Sequence, residues 1–285
     1  MDGKKCFIMG LPEAGKTTYL AALWHCLNNK ENLSLRIKTY TEDHSYLSGI
    51  SAKWADAEEV SRTKPEFEKK AITLSLENNK EDEITLAFTD LSGESFQHQY
   101  ENREAKKEHV EFVQDCLGIC LFVHPEKIKE PYFISEVPAS VREENIEGAI
   151  EHEPRNPREN DPTQVQLVDL LQFITHMRGN KSVNLCIMIS AWDLLKETCQ
   201  KEMGPENYIK TRMPLLWQYL KSNSNVFLLE YYGVSAQGGQ LEDQEKLLEI
   251  NDPCDRIMVV DNDGNLLNDI TLPLNRIVSK SNEKK

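Results

Sequence analysis

Near the start of the chain, Gly10-Leu11-Pro12-Glu13-Ala14-Gly15-Lys16-Thr17 fits the spacing G-x-x-x-x-G-K-[ST] at every fixed position. The chemistry this serves is the capture of a polyphosphate. A backbone that wraps an anion must turn sharply and aim successive N–H groups inward, which glycines at both ends allow. Glu13, Ala14, Gly15 and Thr18 would offer backbone N–H groups, Lys16 would reach the β- and γ-phosphates, and the Thr17 hydroxyl would bind Mg²⁺. The helix that follows would turn its positive end to the anion. Residues 5–9 read as a buried strand, and 18–27 as a helix with Leu20, Leu23, Trp24 and Leu27 on one face.

The rest of the chain must supply a sheet to carry that loop. Residues 33–39 alternate like a strand and 47–60 like a helix, an excursion spanning 31–60. Residues 71–76 and 84–89 form an expected antiparallel pair across a polar turn, and the second runs into Asp90-Leu91-Ser92-Gly93-Glu94. A charged helix over 103–115 precedes a buried strand at 117–123, stopped by His124-Pro125. Residues 126–162 turn acidic and proline-bearing and read as an insertion, either a docking surface or a solvated face. A helix over 163–177, a strand over 183–190, a long helix over 205–222 and a strand over 225–231 follow. Pro214 should kink that long helix or start a new one. A hairpin about Asp261-Asn262-Asp263-Gly264 and a helix over 273–280 close an extension over 252–285. Strands alternating with helices predict a mostly parallel sheet with one antiparallel strand, covered by helices on both faces, with ligand at the strands' C-terminal edge. One domain over 1–285 is expected.

The 285 residues carry a net charge of −14, which argues against a general nucleic-acid or anionic-membrane binder. There is no apolar run of about 18 residues, so no membrane span is expected. The seven cysteines show no close-pair repeat, and Cys6, Cys116, Cys120 and Cys186 lie in apolar runs, which predicts reduced core thiols and a cytoplasmic setting.

In their order along the chain, the motifs resemble those of Ras-like, translation-factor-class P-loop GTPases. The phosphate loop comes first, Asp90-Leu91-Ser92-Gly93 resembles D-x-x-G, Ser190-Ala191-Trp192-Asp193 stands in the place of [NT]-K-x-D, and Ser235-Ala236-Gln237 is similar to S-A-K. The resemblance implies GTP or GDP as ligand with Mg²⁺ held by Thr17, Thr63 and, through water, Asp90. It implies that the Gly93 N–H meets the γ-phosphate, that Asp193 accepts from guanine N1 and N2, and that the Ala236 N–H, beside Ser235, donates to O6. Thr63 is the expected switch threonine, with Thr39 and Thr41 as alternatives, and Arg62 could stabilise charge on the transferring phosphoryl. The chain is most similar to prokaryotic double-GTPases through its Lys16–Trp24 helix, the Arg62-Thr63 pair and the Leu-Ser-Gly-Glu switch. That similarity implies a protein effector, an activating partner or a second GTPase.

Several departures temper these implications. Ser190 and Ala191 replace an amide and a long aliphatic stem, which implies weaker binding. Glu94 stands where many relatives place a water-orienting Gln; a carboxylate accepts from water but cannot donate to the phosphoryl group, which implies slow turnover. Trp192 could cover the base or pack in the core. Asp193 could cap a helix instead of reading a base. The readings left open are a GTP-hydrolysing switch, a nucleotide-binding scaffold without hydrolysis, and an ATP-using P-loop protein.

Overall fold

The computed structural model describes residues 4–40, 44–60, 72–88, 93–132, 155–195 and 204–279. Five parallel strands form its centre: β1 (Lys4–Met9), β4 (Glu83–Phe88), β5 (Gly118–Val123), β6 (Val183–Ser190) and β7 (Phe227–Ser235). On one side the antiparallel strands β3 (Ile72–Asn78) and β2 (Leu35–Thr39) extend the sheet, and on the other the hairpin β8 (Met258–Val260) and β9 (Leu266–Leu267) extends it. The order is β2-β3-β4-β1-β5-β6-β7-β8-β9. The anticipated antiparallel strand, β3, thus has a counterpart in β8 at the opposite edge.

The side-chain period of two sorts the core into two layers. Cys6, Ile8, Cys120, Phe122, Cys186 and Met188 face one cluster, built with α1 (Lys16–Asn29), α2 (Ser45–Ala55) and the closing helix α10 (Leu272–Ser279). Phe7, Met9, Ile119, Leu121, Leu185 and Ile187 face the other. That second layer contains α3 (Glu94–Asn102), α4 (Lys107–Asp115), α6 (Thr163–Met177), α7 (Gly204–Arg212) and α8 (Pro214–Ser222). Every residue of β5 and β6 is buried, as expected of parallel strands covered on both faces. Each large apolar side chain so buried contributes about 1.5–3 kcal/mol over the same group left in water.

Local chemistry moves several boundaries. The helix expected over 103–115 begins at Lys107, because Arg103 takes a left-handed φ of 61° and ends a separate helix, α3. In α3 only Phe96 and Tyr100 form an apolar i,i+4 pair, too sparse a stripe to reveal a helix from periodicity. Helix α2 stops at Ala55 and not at 60, where Ala57, at φ 51°, turns the chain. Pro214 starts a new helix, since its ring cannot donate into the preceding turn, and Met213 sits outside both segments. Strand β7 runs on to Ser235, past Gly233, over which the Trp192 indole lies. Between β5 and α6, the insertion is described only at its roots, which include the short helix α5 (Pro157–Asn160). The remaining short helix, α9 (Gln244–Leu248), lies on the way to β8.

Candidate functional site

The site lies where parallel topology brings strand ends together: the loops leaving β1, β5, β6 and β7 share the C-terminal edge of the sheet. The first loop holds Gly10, Glu13, Ala14 and Gly15, with Lys16, Thr17 and Thr18 in the first turn of α1. Its bend is closed by the Ala14 N–H donating to the Leu11 carbonyl at 3.3 Å, with Glu13 at φ 62° and Gly15 at φ 89°. Lys16 is 2% exposed, and its ammonium donates to the carbonyls of Gly10 at 2.7 Å and Leu11 at 3.0 Å. No acidic side chain stands in the first turn of α1, so the positive end of the helix is not offset there. The Glu13 carboxylate pairs with Lys127, from the turn after β5, at 2.7 Å.

Gly93 caps the N-terminus of α3 at φ 83° and presses against this loop. A Cβ on it would lie 2.6 Å from the Leu11 carbonyl carbon and 2.6 Å from the Pro12 nitrogen. Glu94 follows as the first residue of α3, and both of its carboxylate oxygens accept from the Arg158 guanidinium at 3.0 Å. Both partners are about half exposed, so the pair contributes only ~0–1 kcal/mol to stability, but its forked geometry fixes direction. Arg158 belongs to α5, which is capped by the Asn156 side chain and tied to Lys129 through the Arg158 carbonyl at 2.8 Å. The next residue but two, Asp161, bonds Tyr100 of α3 and Arg155. Burial works against the Asp161 charge, yet Arg155 and Tyr100 hold the carboxyl below its usual range. Burial and Asp161 push the Tyr100 phenol up to about 12.

At the end of β6, the Ser190 hydroxyl donates to the Val123 carbonyl at 3.3 Å and packs against Gly15. Ala191 takes φ 47°, and the turn Trp192–Leu195 brings in Asp193, 8% exposed. Asp193 is the second residue of that turn, and the residues after Leu195 lie outside the described ones. Trp192 is fully buried, edge-on to Tyr208 at 5.8 Å; it is core and does not cover a base. Ser235 ends β7 fully buried and accepts from the Gly238 N–H at 3.1 Å. The Ala236 carbonyl accepts from Trp54 Nε1 at 2.9 Å. Between the loops sits His124, whose burial lowers its pKa, while Glu126, Asp193 and Glu13 work in the opposite direction.

Contacts tie Gly93 and Ser190 to the phosphate loop, Glu94 follows Gly93, and the strand order puts Asp193, Ser235 and Ala236 at the same sheet edge. Thr63, Arg62, Asp90 and Thr41 lie outside the described residues, and Thr39 ends edge strand β2. No sequence motif marks Lys127, His124, Trp54 or Arg158 as a site residue. Only His124, at a strand end, carries any positional signal. Arg158 lies in an acidic stretch with no motif. Among the described residues, no helix is long and apolar enough to cross a membrane.

Strand order and loop together define a P-loop nucleotide-binding fold of the GTPase kind. The Double-GTPase 1 family model matches residues 7–277, and the chain belongs to that family. No curated protein matches it. Solved structures that resemble it include a signal recognition particle receptor complex with GTP from Chaetomium thermophilum. That structure is 14% identical, covering 87% of this chain and 99% of that one at a TM-score of 0.41. Another is the ADP-ribosylation-factor-like small COPII coat GTPase of Encephalitozoon cuniculi in complex with GDP. It is 10% identical, covering 100% of this chain and 84% of that one at a TM-score of 0.34. Scores this low add nothing to the architecture read from the strand order itself.

Proposed function

We propose that this chain is a Mg²⁺-dependent guanine-nucleotide switch that hydrolyses GTP to GDP and phosphate and signals to a protein partner, either an effector, an activating protein or a second GTPase. The single observation that carries the reading is the seating of Gly93 on Leu11 and Pro12. A switch glycine in contact with the loop that holds the phosphates is where loss of a γ-phosphate would be felt first. Lys16 leaves the Gly10 and Leu11 carbonyls for the β- and γ-phosphates, and the Gly93 N–H meets the γ-phosphate. Asp193 accepts from guanine N1 and N2, and the Ala236 N–H, beside Ser235, donates to O6. Thr17, Thr63 and Asp90 offer only hard oxygen donors, which fits Mg²⁺, an ion that keeps waters and shares substrate phosphates. When bound, the ion would supply neutralisation of the charge that develops on the phosphates. Arg62, beside Thr63, is a candidate to stabilise charge on the transferring phosphoryl. We read residues 1–285 as one G domain carrying the 31–60 excursion, the 126–162 insertion and the 252–285 extension.

The fork between Arg158 and Glu94 favours a second reading, a nucleotide-binding scaffold with little hydrolysis, because it occupies the carboxylate that stands in the water-orienting position. Single turnover of GTP-loaded protein separates the two: phosphate release above the buffer rate is expected, and none would leave the scaffold. Competition decides the base. Labelled GDP displaced as well by ATP as by GTP would remove Asp193 from guanine reading and leave an ATP-using protein.

A further inference from the structure

The loop after β7 is supported from outside the nucleotide motifs. Trp54, on the excursion helix α2, is fully buried, and its indole N–H donates to the Ala236 carbonyl at 2.9 Å. Arg256, 5% exposed in the turn before β8, stacks on that indole, its guanidinium carbon 4.8 Å from the ring centroid. Its Nη2 donates to the carbonyls of Trp54 at 3.1 Å and Ala55 at 2.9 Å, at the C-terminal end of α2. The Arg256 carbonyl in turn lies against Gly238, two residues beyond Ala236. On the Trp54 ring's surroundings the His25 imidazole closes in at 5.1 Å.

The consequence for Ala236 is geometric. Strand β7 fixes the peptide before this residue, and the Trp54 hydrogen bond fixes the peptide after it. The Ser235 hydroxyl, accepting from Gly238, closes the loop behind it. An N–H that must meet one oxygen of a base needs both neighbouring peptides held, since a hydrogen bond weakens steeply once its angle is lost. We infer that Trp54 is a positioning residue for base recognition, holding the Ala236 peptide so that its N–H meets the purine O6, and that Arg256 holds Trp54. This rests on the guanine-nucleotide reading above.

The test uses the full chain and four nucleotides competing against labelled GDP. Trp54→Phe keeps an aromatic ring and removes the N–H. GTP, GDP and ITP all carry O6, so their affinities are expected to fall by one common factor, about two- to tenfold. The GTP:ITP ratio stays constant, because the 2-amino group that separates those two is read by Asp193. ATP has no O6, so its affinity is unchanged and the GTP:ATP ratio falls by the same factor. Arg256→Gln, which removes the stacked cation, is expected to give the same pattern, and it carries the test if Trp54→Phe does not fold. Folded variants with an unaltered GTP:ATP ratio, or with all four nucleotides weakened alike, overturn the inference, the latter by showing a merely structural role. Wild-type protein without guanine preference, measured in the same titration, instead overturns the proposed function.

Discussion

The contact between Gly93 and the phosphate loop can be isolated by comparing two glycines of nearly equal backbone geometry. Gly93 has φ 83° and Gly264 φ 81°, yet a Cβ on Gly93 would meet Leu11 and Pro12 backbone at 2.6 Å, whereas one on Gly264 would meet nothing within 4 Å. An alanine at either position bears the left-handed cost of about 1–2 kcal/mol. Gly93→Ala adds overpacking of about 1–3 kcal/mol, because the opposing atoms are backbone and cannot rotate away. We therefore expect losses of roughly 2–5 kcal/mol for Gly93→Ala against about 1–2 for Gly264→Ala. Urea unfolding with a shared slope measures the difference, and thermal melts should follow at about 2–4 °C per kcal/mol. Calorimetry with GDP supplies the functional half. Gly93→Ala shifts Leu11 and Pro12 and weakens binding by about tenfold or more, the effect of ~1.4 kcal/mol or more, while Gly264→Ala leaves it unchanged. Equal destabilisation by the two substitutions, with equal affinity for GDP, would refute the seating of the switch on the loop.

Three further outcomes follow from the site. Asp193→Asn removes charge-assisted acceptors worth about 1.5–3 kcal/mol, so guanine nucleotide affinity should fall about 10- to 150-fold while ATP affinity holds, as read by competition against labelled GDP. Arg158→Gln removes the forked cation from Glu94; if that carboxylate lies beside the γ-phosphate, GTP should weaken relative to GDP by about two- to fivefold, and the double change with Glu94→Gln should restore the ratio. Burial lowers the pKa of both His25 and His124, so the unfolded chain takes up their protons first. That stability is present above the ordinary imidazole value of about 6.5 and is lost as pH falls through the lowered folded values. The melting temperature should drop between pH 7 and 5, and the drop should shrink in His25→Gln and His124→Gln; an unchanged drop in both variants would assign it to other groups.

What the sequence determined by itself was whatever depends on near neighbours in the chain. The Gly10–Thr17 loop, the uninterrupted apolar runs of β5 and β6, the break at Pro214 and the turn before Gly264 are local. Backbone sterics and side-chain period set them before any long-range contact forms. Helix α3 escaped that logic because its buried face is assembled from Phe96, Gln97, Gln99 and Tyr100, so half of that face is amide and no apolar period along the chain marks it. Likewise, only the tertiary structure decided that Arg158, 64 residues away, forks onto Glu94. It alone set Trp54 beneath Ala236, 182 residues on, and put Trp192 in the core and not over a base. Contacts of that separation are chosen by which surfaces the folded sheet presents to each other, and no spacing along the chain encodes them.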